Sequence, residues 1–233
     1  MKKVQTDFQD EEQLPAQYEK AIGNNDEQYF KDKYLSGNQN TLAVSLKTLQ
    51  NCIFKREVQS NGDIFVGYYK EDQINGFDQS KSYSKFYGRL YEKQSFKEGY
   101  LRNGLFHGGV CQYGVNTKGD NYYYDGDYVD GIPNGYGVIM SHGSMYCGEY
   151  KNGIIHGLGT YYYNDGDSYK GQWMNNMQHG EGVFKYTNGS ILKGTWKDGD
   201  KHGEFNRTYA SGKQEKIIYD MDEIILCEEI KST

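Results

Sequence analysis

The sequence predicts a mainly β protein: an elongated, single-layer, twisted antiparallel sheet of stacked hairpins, behind a short, partly helical or irregular N-terminal segment. Three observations carry this expectation. Tyrosine supplies 24 and glycine 30 of the 233 residues, against two prolines, so a conventional aliphatic core is not indicated. An aromatic content of 15% also argues against disorder, because disordered chains are poor in rings. Finally, a motif of the form aromatic-x-Gly-x-aromatic recurs at a nearly fixed interval, and repeats of this length signal a stacked architecture.

The motif is plainest in four places. The chain reads YDGDYVDGIPNGYG from Tyr124, YCGEYKNGIIHGLG from Tyr146, YKGQWMNNMQHGEG from Tyr169 and LKGTWKDGDKHGEF from Leu192. The closing glycines, Gly135, Gly157, Gly180 and Gly203, are spaced by 22, 23 and 23 residues. Gly99, Leu101, Gly104, His107 and Gly108 form a weaker copy, and Phe65, Gly67, Tyr69, Asn75 and Gly76 a weaker one still. Residues between about 77 and 95 interrupt the period and predict an insertion or a distorted repeat.

Each copy also contains an X-Gly pair: Asn61-Gly62, His142-Gly143, Asp165-Gly166, Asn188-Gly189 and Ser211-Gly212. Such pairs suit the positive φ angles of a two-residue type I′ turn. The expected repeat is therefore strand, tight turn, strand, longer loop. Within a strand, residues i, i+2 and i+4 share a face, so Tyr146, Gly148 and Tyr150 point together, as do Tyr169, Gly171 and Trp173. The glycine leaves a trough that neighbouring rings can cover, which offsets its low strand propensity. Two strands per repeat advance the sheet by ~10 Å, and six repeats by roughly 60 Å.

Outside the array, residues 1–40 form a polar segment without repeats. Asn25-Asp26-Glu27 there suits the start of a short helix reaching about Leu35. The array runs from 41 to 220, with Leu42, Val44 and Leu46 on one face of a first strand or in a helix. A capping segment, 221–233, belongs to the apolar-acidic run EKIIYDMDEIILCEEI, which supplies terminal strands.

The motifs resemble the MORN repeat family, whose signature is Y-x-G-x-W/Y-x-x-G-x-x-H/N-G-x-G, over about residues 60–220. The resemblance implies the hairpin array directly. It implies function more weakly, because the repeat is a building block. Family members include radial-spoke-head and other axonemal components, junctophilins, apicomplexan cytoskeletal scaffolds, and appendages of lipid kinases and a lysine methyltransferase. A small, nearly all-repeat chain is most similar to the ciliary and cytoskeletal members.

Other function classes find little support in the residues. A net charge of −6 disfavours nucleic acid, which asks for a basic face. No apolar run reaches the ~18 residues of a membrane span, and the N-terminus has neither a signal-peptide core nor the basic character of a presequence. Cys52, Cys111, Cys147 and Cys227 form no C-x-x-C pair and read as reduced thiols of an intracellular protein. His107, His156, His179 and His202 recur in register, but ~10 Å between repeats is too far for one metal ion to bridge. Asp125/Asp127 and Asp165/Asp167 read as solvated or turn-stabilising acids. No catalytic constellation, metal site or cofactor is expected.

The candidate interaction residues are the aromatic rows: Tyr124, Tyr128, Tyr146, Tyr150, Tyr169, Trp173 and Trp196, enlarged by Tyr161, Tyr163, Phe184, Tyr186 and Tyr209. Exposed tyrosine and tryptophan are enriched at interface hot spots. The expected function is a structural scaffold subunit of a large cytoskeletal assembly, with a radial-spoke-head-like role in the axoneme. Its partners would be other protein subunits, another repeat sheet or an extended peptide. Two alternatives stand beside it. One is a regulatory adaptor for a soluble enzyme. The other is a phosphoinositide-binding protein using Lys151, Lys170, Lys193 and Lys197, although residues 122–214 hold ten acids against eight bases.

Overall fold

The computed structural model describes residues 52–71 and 83–230. The helix expected near Leu35, the strand from Thr41 and the Asn75-Gly76 pair lie outside that range. Among the described residues there are sixteen strands and no helix, and the antiparallel sheet is open rather than closed into a barrel. The chain divides into two compact units, Met1–Gly88 and Arg89–Thr233.

In the first unit, β1 (Cys52–Val58) and β2 (Ile64–Glu71) form a hairpin, and β3 (Tyr83–Glu92) begins. Phe65, Gly67 and Tyr69 are a complete copy of the motif. Phe65 meets Tyr69 edge to face at 5.6 Å, and its ring lies against both Gly67 and Gly88.

The second unit continues with β4 (Ser95–Arg102), β5 (Leu105–Val115), β6 (Asn121–Val129), β7 (Ile132–Ser141), β8 (Ser144–Lys151) and β9 (Ile154–Tyr162). Then follow β10 (Ser168–Met174), β11 (Met177–Lys185), β12 (Ile191–Lys197), β13 (Asp200–Lys201), β14 (Gly203–Thr208), β15 (Gln214–Asp220) and β16 (Glu223–Ile230). Neighbours in the chain are neighbours in the sheet, apart from the short β13, which pairs beside β14 with β12.

Register organises everything else. Gly126, Gly137, Gly148, Gly159, Gly171, Gly182 and Gly194 face one another in sequence across β6 to β12, a continuous glycine row. Tyr124, Tyr146 and Tyr169 lie down across this row. Each ring covers the glycine two residues ahead and the glycine opposite, and each hydroxyl donates to the carbonyl three residues ahead, that of Asp127, Glu149 or Gln172 (3.3, 3.1 and 3.0 Å). A single sheet layer thereby buries large rings: Tyr146 and Tyr169 have no exposed surface.

The second ring of each motif locks consecutive repeats together. Tyr150 meets Tyr146 and Tyr124; Trp173 meets Tyr169 and Tyr146; Trp196 meets Tyr169. All are edge-to-face contacts with centroids 5.0–5.5 Å apart, an arrangement that contributes about 0.5–1.5 kcal/mol per pair beyond burial.

Both ends of the glycine row show the same substitution of parts. Leu192 stands where the fourth copy needs its first aromatic, and the return strand there carries Phe205 in place of a glycine. The Phe205 ring covers Gly194 and continues the zipper to Trp196 (4.8 Å) and Tyr219 (5.1 Å). At the other end Lys97 occupies the first aromatic position, and buried Val110, between Gly99 and Gly126, fills the trough.

The turn assignment from sequence is corrected. Of the expected I′ pairs, only His142-Gly143 has two positive φ angles (54° and 76°). At Gly166, typical of the others, only the glycine is left-handed (φ 92°). Its N–H donates to the Tyr163 carbonyl while the Tyr163 N–H donates to the Asp167 carbonyl, which is a three-residue type I turn with a glycine bulge. The residue before the glycine explains the choice. The Asp165 carboxylate accepts the Asp167 N–H (3.0 Å), and Asn61 and Asn188 do the same two residues ahead, a bond that stabilises the ordinary turn conformation.

The two-residue I′ turns lie instead where a longer loop was expected, as at Asn152-Gly153 between the paired Lys151 and Ile154. The His/Asn-Gly elements that seemed to end that loop sit inside the return strand, where the left-handed glycine accompanies a β-bulge.

A double-mutant cycle tests the exchange between Leu192 and Phe205. In denaturant titrations, Phe205→Gly should lose about 3–5 kcal/mol by emptying the trough, and Leu192→Tyr about 1–3 kcal/mol by crowding it. The double variant, with the consensus arrangement restored, should recover most of both.

Candidate protein-interaction surface

The sheet of the second unit has two chemically distinct faces. On the front, beside the glycine row, runs a cross-strand row in which lying and standing rings alternate: Tyr146, Tyr161, Tyr169, Phe184, Leu192. The lying rings come from the motif strands and are buried. The standing positions, Ile139, Tyr161, Phe184 and Arg207, come from the return strands and stay half-exposed. One step outward, Tyr163, Tyr186 and Tyr209 repeat at the rim. Tyr161 and Tyr163 pack at 4.6 Å, Tyr163 and Phe184 at 5.6 Å, and Phe184 and Tyr186 at 4.7 Å, so the second row is continuous.

The sequence candidates therefore separate by role. Tyr124, Tyr128, Tyr146, Tyr150, Tyr169, Trp173 and Trp196 are each at most 8% exposed and are consumed in intrachain packing. Tyr161, Tyr163, Phe184, Tyr186 and Tyr209 are the ones that keep surface. At Tyr209 the row changes character: its hydroxyl donates to Glu215 (2.7 Å), and Arg207 and Lys213 flank its ring at 5.8 Å. The Tyr209 hydroxyl and the Lys213 ammonium hold the Glu215 carboxyl below the usual range.

Residues singled out for other chemistry take structural parts. In three copies a bulge-capping acceptor stands between the motif glycine and its second aromatic: Asp127 receives the Tyr136 N–H, Glu149 the Leu158 N–H and Gln172 the Glu181 N–H, at 3.2–3.3 Å. The recurrence of Asp, Glu and Gln at this point was a legible signal that the sequence reading did not use. Three of the four in-register histidines reach an acid at or beside the tight turn of the next repeat. His107 lies 3.5 Å from Asp130, His179 3.5 Å from Asp198, and His202 3.2 Å from the Asp220 carboxylate. The same turns dock through backbone bonds, with the N–H of Gly131, Gly153, Asn176 and Gly199 donating to Phe106, Pro133, Ile155 and Gln178. Among the described residues no cluster of three metal-ligating side chains converges.

The back face carries Lys151, Lys170, Lys193 and Lys197, all exposed. Acids interleave with them: Lys193 shares one depression with Glu181 and Glu204, and Glu204 pairs with Lys216 at 2.7 Å. The potential over that face is mixed, which weakens its fit to an anionic leaflet.

Comparison with known proteins supports the reading of the repeats. Residues 124–141, 146–168, 169–191 and 193–213 match the MORN repeat model, so the chain carries four MORN repeats, each a hairpin of the front-face array. No curated protein matches the chain. Among solved structures, the SAS-4 (dCPAP) TCP domain in complex with a proline-rich motif of Ana2 (dSTIL) of Drosophila melanogaster aligns at 12% identity. The alignment covers 70% of this chain and 88% of that one at a TM-score of 0.38, a likeness too low to support an argument.

Burial of the rings has a pH consequence. It raises the phenols of Tyr124, Tyr128, Tyr146, Tyr150 and Tyr169 well above the ordinary value of 10.0, and pushes Tyr163 up to about 12. A folded state that holds these protons more tightly keeps its full advantage below the unfolded value of about 10 and loses it above. Stability should be insensitive to tyrosine ionisation at neutral pH and fall steeply once pH exceeds about 10. Tyrosinate absorbance from the core should appear together with loss of the β circular dichroism signal, not before it.

Proposed function

We propose that this protein is a non-catalytic scaffold that engages other protein chains along the half-exposed aromatic row of its front face. One observation supports this reading above others: the rings of Tyr161, Tyr163, Phe184 and Tyr186 form a continuous strip that packs on the core yet keeps surface. Rigid aromatics with a buried base and an accessible edge bind at low entropic cost, and tyrosine prevails at interface hot spots. A strip of this form suits an extended segment or the edge of another repeat array.

The proposed setting is a cytoskeletal assembly, specifically the ciliary axoneme with a radial-spoke-head-like role. Its support is the MORN repeat itself, a building block of axonemal and other cytoskeletal proteins.

The test uses the tagged full chain in ciliated cells. Wild-type protein should remain with salt-washed, detergent-extracted axonemes, and Tyr163→Ala/Tyr186→Ala should pass to the soluble pool while keeping its β circular dichroism spectrum. Wild-type protein found wholly in the soluble pool would overturn the axonemal setting. Retention of both forms would overturn the aromatic row as the contact.

A further inference from the structure

The back of the second unit's sheet, opposite the zipper, presents a second surface. Tyr136 is 55% exposed, Leu158 60% and Tyr162 40%, all on the strands β7 to β9. Register gathers them into one patch. Met140, Met145 and Tyr162 lie side by side across the three strands, and Val138, Cys147 and Thr160 form the next row. Tyr136 leans into the patch, its hydroxyl 2.7 Å from Cys147 Sγ. Among the described residues the strands form one sheet, and no second layer covers these side chains. Contiguous exposed apolar surface rimmed by polar residues marks an interaction site.

The charges around the patch specify what would cover it. The row of Val138, Cys147 and Thr160 continues on one side to Asp125 of β6 and on the other to Lys170 of β10, each two strands from β8. Both are exposed, and neither makes an ion pair among the described residues. Partial desolvation, and then Asp127 beside it, raise the Asp125 carboxyl above its usual value, so this charge lacks compensation within the chain. An acid and a base evenly placed about an apolar centre suit an isologous pair, because each copy offers both partners to the other. Turning a second copy about a two-fold axis along β8 sets Asp125 of each copy over Lys170 of the other. The same rotation sets Tyr136 over Leu158, Met140 over Tyr162 and Met145 over its own mate. Leu158 borders a depression also lined by Glu149, Gln172 and Trp173, a hollow for the Tyr136 ring. Glu149 and Lys151, both exposed on β8, recur at the axis and neutralise each other crosswise.

We propose that the chain pairs with a second copy through the back face of β6 to β10, the two sheets packing as a sandwich about a two-fold axis along β8, with Asp125 of each copy against Lys170 of the other. Aligned sheets pack about 10 Å apart, with strands within roughly 30° of one another and inner side chains interdigitated, which brings these residues into reach. Burial of the tyrosine, leucine and methionine side chains supplies the affinity, and the two symmetric ion pairs fix the register. The front-face row points away from this interface, so a dimer keeps both aromatic strips available, and either surface can fail without the other.

Sedimentation equilibrium of the full chain reads the pairing. The wild type should be a dimer that dissociates on dilution. Asp125→Lys alone and Lys170→Asp alone should each weaken it by about tenfold, because both symmetric contacts become like-charged. Asp125→Lys/Lys170→Asp should recover the wild-type affinity, a rescue that a folding defect would not give. Leu158→Asp should leave a monomer with the wild-type β circular dichroism spectrum, and Tyr163→Ala/Tyr186→Ala should dimerise as the wild type does. In a Cys52→Ser/Cys111→Ser/Cys227→Ser background, a short bismaleimide should link two copies through Cys147 across the axis. Any of five results would overturn the proposal: a wild type that stays monomeric up to its solubility limit, a dimer indifferent to Leu158→Asp, a folded charge-swapped variant without recovery, no cross-link at Cys147, or loss of the dimer in the tyrosine variant.

Discussion

Everything in the second unit depends on a ring lying flat across two glycines. A single-layer sheet has no opposing layer to bury side chains against, and the MORN hairpins meet that constraint by removing side chains along one row and laying tyrosines into the gap. Tyr146 over Gly148 and Gly159 is the type case: the ring covers backbone, its hydroxyl finishes on the Glu149 carbonyl, and no surface remains exposed. The trough stays filled along the row even where residue types change. Phe205 enters where Leu192 falls short, and Val110 where Lys97 does. The core is a strip filled from whichever strand supplies the bulk.

From this arrangement follows a division of labour among aromatic residues that look alike in sequence. The first ring of a motif, Tyr124, Tyr146 or Tyr169, lies down over the vacancy left by the glycine two residues ahead. Unlike Phe205, which lies over Gly194, the return-strand rings Tyr161 and Phe184 have no such vacancy beside them. They stand against the lying rings and keep an exposed edge, so the core and the surface proposed for partners are alternate members of one cross-strand row.

The periodic triplets made the hairpin array and the shared face of Tyr146, Gly148 and Tyr150 legible in the sequence, and the four MORN repeats fall where those triplets are. Turn chemistry was less legible. Asp165-Gly166 and Asn152-Gly153 are nearly the same dipeptide, yet one closes a type I turn with a bulge and the other a I′ turn. The difference lies in which residues pair across the turn and in the bond from Asp165 to the Asp167 N–H, neither of which a dipeptide reveals. The bulge inside each return strand was hidden for a related reason: a left-handed glycine within a strand reads locally as the end of a loop. The separation of Tyr146 from Tyr161 into buried and half-exposed needed register, because both are strand tyrosines on the same face.

The central claim, that the glycine row exists to admit the rings, is tested most directly by the thermal stability of the Gly159→Ala chain. A methyl group at this position meets Cε2, Cζ and the hydroxyl of Tyr146 well inside van der Waals contact. Alanine otherwise favours a strand over glycine by roughly 0.5–1 kcal/mol, so an unconstrained site would gain stability. The account predicts a clear fall in Tm from a loss of about 1–3 kcal/mol. A Tm equal to or above that of the wild type would contradict it.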